Sequence, residues 1–205
     1  MEFAQWLSLF SICLLGAMSP GPSLAVVVNA ALRGGRGHGI AAGLAHGAGV
    51  GLYGLLTVTG LAVLVTRSPA LFVMLQLAGA AYLVYLGLRS LRSEAAMPLD
   101  GSGHQHSRRG ATVSGFLVAF LNPKLAVFML ALFAQFLSPE TSAVQKGIMA
   151  LTVGMTDAAW YCLVAVLVSH GAFMAKLQRS AVTIDRIFGV ILILLAAMVT
   201  LRALA

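Results

Sequence analysis

An all-α integral membrane protein is the fold class this chain predicts: six transmembrane helices in two inverted-topology three-helix repeats, with helices 1 and 4 broken. Three observations carry that expectation: the composition, six long apolar blocks, and proline breaks in the first block of each half. Of 205 residues, 60% are apolar and 9% charged, and there are 22 glycines besides. Soluble domains hold roughly 45–50% apolar residues, glycine included, and about 25% charged. A soluble domain of this size could not hide so much apolar surface. A soluble enzyme, a disordered chain and a disulfide scaffold are therefore excluded, and the chain must use lipid as its solvent.

A spanning helix needs about 20 apolar residues to cross a hydrocarbon core about 30 Å thick. The blocks here are Phe3–Ala31, Ile40–Val65, Ala70–Leu88, Val113–Leu137, Val144–Val168 and Ile184–Leu204. None alternates in polarity as a lipid-facing barrel strand would, so helices are expected. The first block reads as a retained helix and not a cleaved leader, because Glu2 is the one charge before Arg33 and a leader opens on positive charge. The chain reads as a single transmembrane domain, 1–205, made of repeat 1 (about 1–91), a cytoplasmic loop (about 89–111) and repeat 2 (about 112–205).

A net charge of +7 invites a nucleic-acid reading, but its placement argues for topology. Cytoplasmic loops collect Lys and Arg. With both termini outside, the inside segments hold Arg33, Arg36, Arg89, Arg92, Arg108, Arg109, Lys176, Arg179 and Arg186, and the outside holds Arg67, Lys146 and Arg202. That asymmetry predicts N-out, C-out and no nucleic-acid partner. The inside loop carries His104 and His106 beside Gly101, Ser102 and Gly103. Its composition favours a solvated segment over a metal site.

The repeat shows as self-similarity. The segment from Pro22 to Leu32 matches that from Pro123 to Phe133 at the proline and at Leu24/Leu125, Ala25/Ala126, Val26/Val127 and Ala30/Ala131. A three-span unit returns inverted when duplicated, a plan that transporters use with the site where broken helices meet at mid-membrane. The breaks are Ser19-Pro20-Gly21-Pro22 and Asn122-Pro123-Lys124. Proline removes a donor and strands the carbonyls before it. The helix that restarts offers unpaired N–H groups and a positive dipole end, which suit a carboxylate. Pro20, Gly21, Pro22, Asn122 and Pro123 are therefore candidate substrate-binding positions.

Two charges lie inside apolar blocks, Lys124 and Asp157. Each costs on the order of 2.5–3.5 kcal/mol at the bilayer centre on insertion scales, so each is expected to face a cavity or a partner. Asp157 is the candidate proton site or substrate-ammonium site, and Lys124 the candidate carboxylate partner. A Lys124–Asp157 pair is the structural alternative. Asn29 is a further candidate for binding substrate or an opened carbonyl. His46 fits a hydrogen-bonded packing histidine better than a proton relay. Trp160 and Tyr161 fit packing as well as cavity lining. Gly39, Gly43, Gly47 and Gly51 recur every four residues and make a stripe for helix packing, within one chain or between two. Cys13 and Cys162 read as buried small hydrophobes. With no phosphate loop, no enzyme activity, ATP drive, cofactor or resident metal is expected.

The segment Ser19-Pro-Gly-Pro22, Asn29, Gly34 through Gly39, Leu77 through Gly87, and Phe116 through Lys124 together resemble the LysE/RhtB family of amino-acid exporters, the LysE-type translocators. The resemblance covers nearly the whole chain. It implies a six-helix exporter of the bacterial inner membrane that expels amino acids against the entry of protons, and a homodimer. Its partners would be an amino acid, protons and membrane lipid. Few intramembrane acids argue against a doubly cationic substrate, so neutral ones such as threonine, homoserine or leucine are favoured. Two other classes remain. A metal-cation exporter would need carboxylate, His or Asn ligands converging at mid-membrane. A thiol relay would need Cys13 and Cys162 to meet.

Overall fold

Where the apolar blocks run unbroken, helices follow. The structure is a computed structural model, and it describes residues 2–92, 107–168 and 170–204; His104 and His106 lie outside the described residues. Among these the helices are α1 (Phe3–Met18), α2 (Pro22–Gly34), α3 (Arg36–Arg67), α4 (Pro69–Leu91), α5 (Arg108–Phe120), α6 (Pro123–Phe136), α7 (Ala143–Leu167) and α8 (Gly171–Leu204). Helices α3, α4, α7 and α8 are each long and apolar enough to cross a membrane. Helices α1 and α2 form a bent pair at 60°, and α5 and α6 another at 52°. Counting each bent pair as one span gives six.

Local chemistry sets the ends. At the start of α1, Glu2 and Gln5 form a reciprocal capping box, and Ser142 and Gln145 do the same for α7. Pro22 and Pro123 each open the helix after a break, where a missing N–H costs nothing. Between α2 and α3 the chain reverses at Gly35, whose φ of 83° lies in the left-handed region that favours glycine.

One boundary differs from the sequence expectation. The last span was expected from Ile184, with Lys176, Arg179 and Arg186 in a loop, yet α8 already runs from Gly171. The reason is amphipathicity. Leu177, Ala181, Ile184, Asp185 and Phe188 are buried on one helical stripe, while Lys176, Arg179 and Arg186 are exposed. A search for unbroken apolar runs misses such a stripe. Its consequence is that Asp185, read as the edge of a span, stands 14 residues inside a helix.

Helix α3 occupies the centre, packed on α7 along one face and on α5 along another, while α4 packs on α8. Small residues permit these approaches. A Cβ added at Gly39 would lie 2.5 Å from the Ala31 Cβ and 2.8 Å from the Ala165 Cβ; at Gly43, 3.1 Å from the Tyr161 Cβ; at Gly47, 2.5 Å from the Ala158 Cβ and 2.8 Å from the Gly154 carbonyl oxygen. The glycine stripe thus packs against α7 and α2 of the same chain. On the α5 side, a Cβ at Gly115 would strike the Ala42 carbonyl. Helices α4 and α8 cross at Gly87 and Gly189, where each added Cβ would meet the other's carbonyl oxygen, at 2.8 and 2.6 Å.

The α3–α7 seam yields a paired test. Gly47→Ala has no room for its methyl, and overpacking costs about 1–3 kcal/mol. Gly51→Ala would meet nothing closer than the Gly154 Cα, at 3.5 Å. Thermal unfolding of the detergent-solubilised protein is expected to start at a lower temperature for Gly47→Ala and to be nearly unchanged for Gly51→Ala. Equal behaviour of the two would contradict this packing.

Candidate functional site

Both breaks open onto one internal cavity of about 100 Å³. Its wall takes Ser19, Pro20, Gly21, Pro22 and Ser23 from the first break and Asn122, Lys124 and Leu125 from the second. Helix α3 contributes His46 and Val50, α7 contributes Val153, Asp157 and Tyr161, and α8 contributes Phe188. The volume is well below the roughly 300–1,000 Å³ of drug-sized pockets and suits a small solute.

The polar centre of that wall is a buried pair. Asp157 stands ten residues before the end of α7 and His46 ten residues after the start of α3. At 1.5 Å per residue each lies about 15 Å from its helix end, about half of a 30 Å core. His46 Nδ1 and Asp157 Oδ2 are 2.6 Å apart. An ionised carboxylate can only accept, so Nδ1–H donates, which leaves Nε2 as the free ring nitrogen. His46 is 2% exposed, and its Nε2 is buried with no hydrogen-bond partner. Leaving such an atom unmatched costs on the order of 1–3 kcal/mol, which makes it a feature that needs a reason. Tyr161 stands edge-on to the imidazole, with ring centroids 4.9 Å apart at 89°, and hydrogen-bonds Ser23 at the start of α2. The pair is therefore linked mechanically to the first break.

The two restarting helices are finished differently. Asn122 caps α6: its Oδ1 accepts from the backbone N–H of Lys124 at 3.0 Å and of Leu125 at 3.3 Å. Gly21 at the start of α2 has no side chain to do this, and no cap hydrogen bond forms there. The first N–H groups of α2 are left for another acceptor. Ser19, just before that start, donates its hydroxyl hydrogen to Asp185 Oδ1 at 2.6 Å.

A second, larger cleft of about 920 Å³ opens at the end of the molecule that holds the start of α1 and the end of α8. Gln5, Ser8, Gln76, Gln135, Glu140 and Gln145 give it a polar lining. Ile12 and Met149 line this cleft, while Cys13 and Val153 line the inner cavity. Met149 and Val153 are one helical turn apart, about 6 Å. Leu9, Leu132 and Leu192 are fully buried in the same apolar cluster as these four residues.

Two broken helices whose breaks meet at one cavity are a transporter feature. The family described as LysE type translocator matches residues 14–202. The chain belongs to that family. Among its relatives, a homoserine/homoserine lactone efflux protein of Salmonella typhimurium is 28% identical, with 97% of each chain covered. That of Salmonella typhi is 29% identical, again over 97% of each. A leucine efflux protein of Klebsiella pneumoniae is 27% identical over 78% of this chain and 76% of its own. No solved structure gives a significant match.

In this translocator, Pro20, Gly21, Pro22, Asn122, Lys124 and Asp157 line one cavity; Asn29 and Pro123 are not part of its wall. Lys124 and Asp157 share the wall without pairing: among the described residues the side chain that meets the Asp157 carboxylate is that of His46. Sequence reasoning passed over Ser23 and Asp185 and ranked His46 as packing. The four-residue rhythm of Gly39, Gly43 and Gly47 with His46 beside it was the available signal, since it set His46 at the edge of the tightest seam. Cys13 and Cys162 are both free.

The role of Asn122 separates two outcomes. If it acts as the cap, Asn122→Ala loses about 0.5–2 kcal/mol of stability, and thermal unfolding of the purified protein shifts down while Asn122→Asp keeps the midpoint. A substrate ligand would instead show an unchanged midpoint and a raised KM for transport.

Proposed function

We propose that this translocator exports small neutral amino acids, with threonine, homoserine or leucine the favoured class, in exchange for protons. The observation that carries the proposal is the unpartnered Nε2 of His46, on a buried imidazole held by Asp157 in the wall shared by both helix breaks. The efflux names of the relatives support the substrate class.

The substrate carboxylate is placed at the uncapped start of α2, with Lys124 as its cation. The His46–Asp157 pair is the proton site. With a neutral imidazole the pair carries one negative charge; with Nε2 protonated it is neutral. Loading a proton removes one negative charge from the cavity wall and weakens the hold on an ammonium group. Proton and substrate therefore oppose one another, as antiport requires. One proton enters as one substrate leaves, and the pair returns to its starting state by losing the proton to the inside.

Orientation follows the basic-residue asymmetry, with both termini outside and the 920 Å³ cleft as the release vestibule of the bacterial inner membrane. The halves about 1–91 and 112–205 are assigned as inverted repeats. That assignment draws support from the packing of equivalent spans on each other, α3 on α7 and α4 on α8, with glycine crossings at both. Alternate access then comes from one half rocking on the other along these seams. The metal-cation reading has no observation in its favour: among the described residues no group of three or more His, Cys, Asp or Glu converges.

The test is efflux from cells preloaded with dipeptides of a panel of amino acids, with and without an uncoupler. Export of neutral amino acids is expected from the wild type, and its loss with the uncoupler, with Asp157→Asn and with His46→Gln at equal membrane levels. Export that survives both variants would reduce the pair to a packing role. Absence of export of any amino acid would overturn the substrate assignment.

A further inference from the structure

The proposed function leaves one buried acid unused. Asp185 is 5% exposed and sits on the stripe of α8 that includes Phe188, one turn further along and part of the cavity wall. It reaches the first break through Ser19, whose hydroxyl donates to Oδ1 and which itself lines the cavity. A carboxylate has two oxygens and about four acceptor sites, so a single hydroxyl leaves most of its capacity open. A buried carboxylate also carries a large desolvation cost that a cation offsets. Asp185 itself stands behind Ser19 and not among the wall residues, while Lys124 at the second break lines the same cavity as Ser19. By contrast, Asp157 has Oδ2 committed to His46 at 2.6 Å.

We propose that Asp185 and Lys124 recognise the zwitterionic head of the substrate, Asp185 taking the α-ammonium and Lys124 the carboxylate. This rests on the amino-acid reading above and assigns it a subsite. Both charges come from the second half of the chain, yet each stands by a different break: Lys124 begins α6 at the second, and Asp185 reaches the first through Ser19. A molecule carrying both an ammonium and a carboxylate bridges them; one lacking either group leaves a buried charge unpaired. The subsite therefore selects α-amino acids over α-hydroxy acids and over amino-acid amides, while the small cavity limits the side chain. It also divides labour between the two acids, Asp157 for the proton and Asp185 for the substrate.

The test uses everted membrane vesicles energised to acidify their lumen, in which export is read as uptake of radiolabelled threonine, homoserine or leucine. Competition by the unlabelled amino acid is compared with competition by the matching α-hydroxy acid and the matching amide. Asp185→Asn keeps an oxygen to accept from Ser19 and removes only the charge. In the wild type, the amino acid is expected to compete about 10–100-fold better than either analogue, the range of one hydrogen bond to a charged group. In Asp185→Asn the preference over the α-hydroxy acid collapses while the preference over the amide remains; in Lys124→Gln the reverse holds. Uptake by Asp185→Asn at saturating substrate stays sensitive to the uncoupler. Intact preference over the hydroxy acid in Asp185→Asn, or its collapse in Asp157→Asn instead, would overturn the subsite and leave the export reading standing. No uptake by the wild type would overturn both.

Discussion

The approach of α3 to α7 is the constraint on which the rest of the molecule depends. An aspartate and a histidine at mid-membrane are each expensive. They become tolerable when the imidazole N–H hydrogen-bonds the carboxylate at short range. The glycines at 43 and 47 flank His46 and remove the side chains that would hold the helices apart, and Gly154 does the same for Asp157 from the other side. The 2.6 Å contact between imidazole and carboxylate is thus a product of backbone packing. The same packing leaves no neighbour for the second ring nitrogen. Stability and reactivity are set by one seam.

The breaks supply what the seam cannot. A continuous helix satisfies its own backbone and offers a ligand little. Interrupting α1–α2 and α5–α6 at facing positions places helix starts, a serine and a lysine on a cavity that would otherwise be lined by side chains such as Val50, Val153 and Phe188. The two breaks are not equal. Asn122 caps the start of α6, whereas Gly21 gives the start of α2 no side-chain cap.

Much of the fold was legible in the sequence because its signals are local. Apolar run length gives spans, and Pro-Gly-Pro and Asn-Pro-Lys give breaks, whatever the rest of the chain does. The start of α8 was not legible that way, because Lys176 and Arg179 interrupt the run while the buried stripe beneath them is periodic. The site was legible by half. Asp157 and Lys124 stand out as charges in apolar blocks, yet their partners are set by packing between residues far apart in sequence: His46 is 111 positions from Asp157 and Ser19 is 166 from Asp185. Asn122 was read as a ligand although an asparagine before proline is a helix-cap pattern. Asn29 was read as a ligand because it is polar in an apolar block, and seven residues of helix carry it about 10 Å beyond the start of α2.

The central claim is that substrate in the cavity and a proton on the His46–Asp157 pair oppose one another. The direct measurement is proton release from the purified protein in weakly buffered detergent solution on addition of the exported amino acid, followed with a pH indicator. Release that saturates with substrate, at up to one proton per protein, and is absent in Asp157→Asn is the expected result. Binding of the amino acid with no proton release from the wild type, at any pH between about 5 and 8 where histidine titrates, would contradict the account.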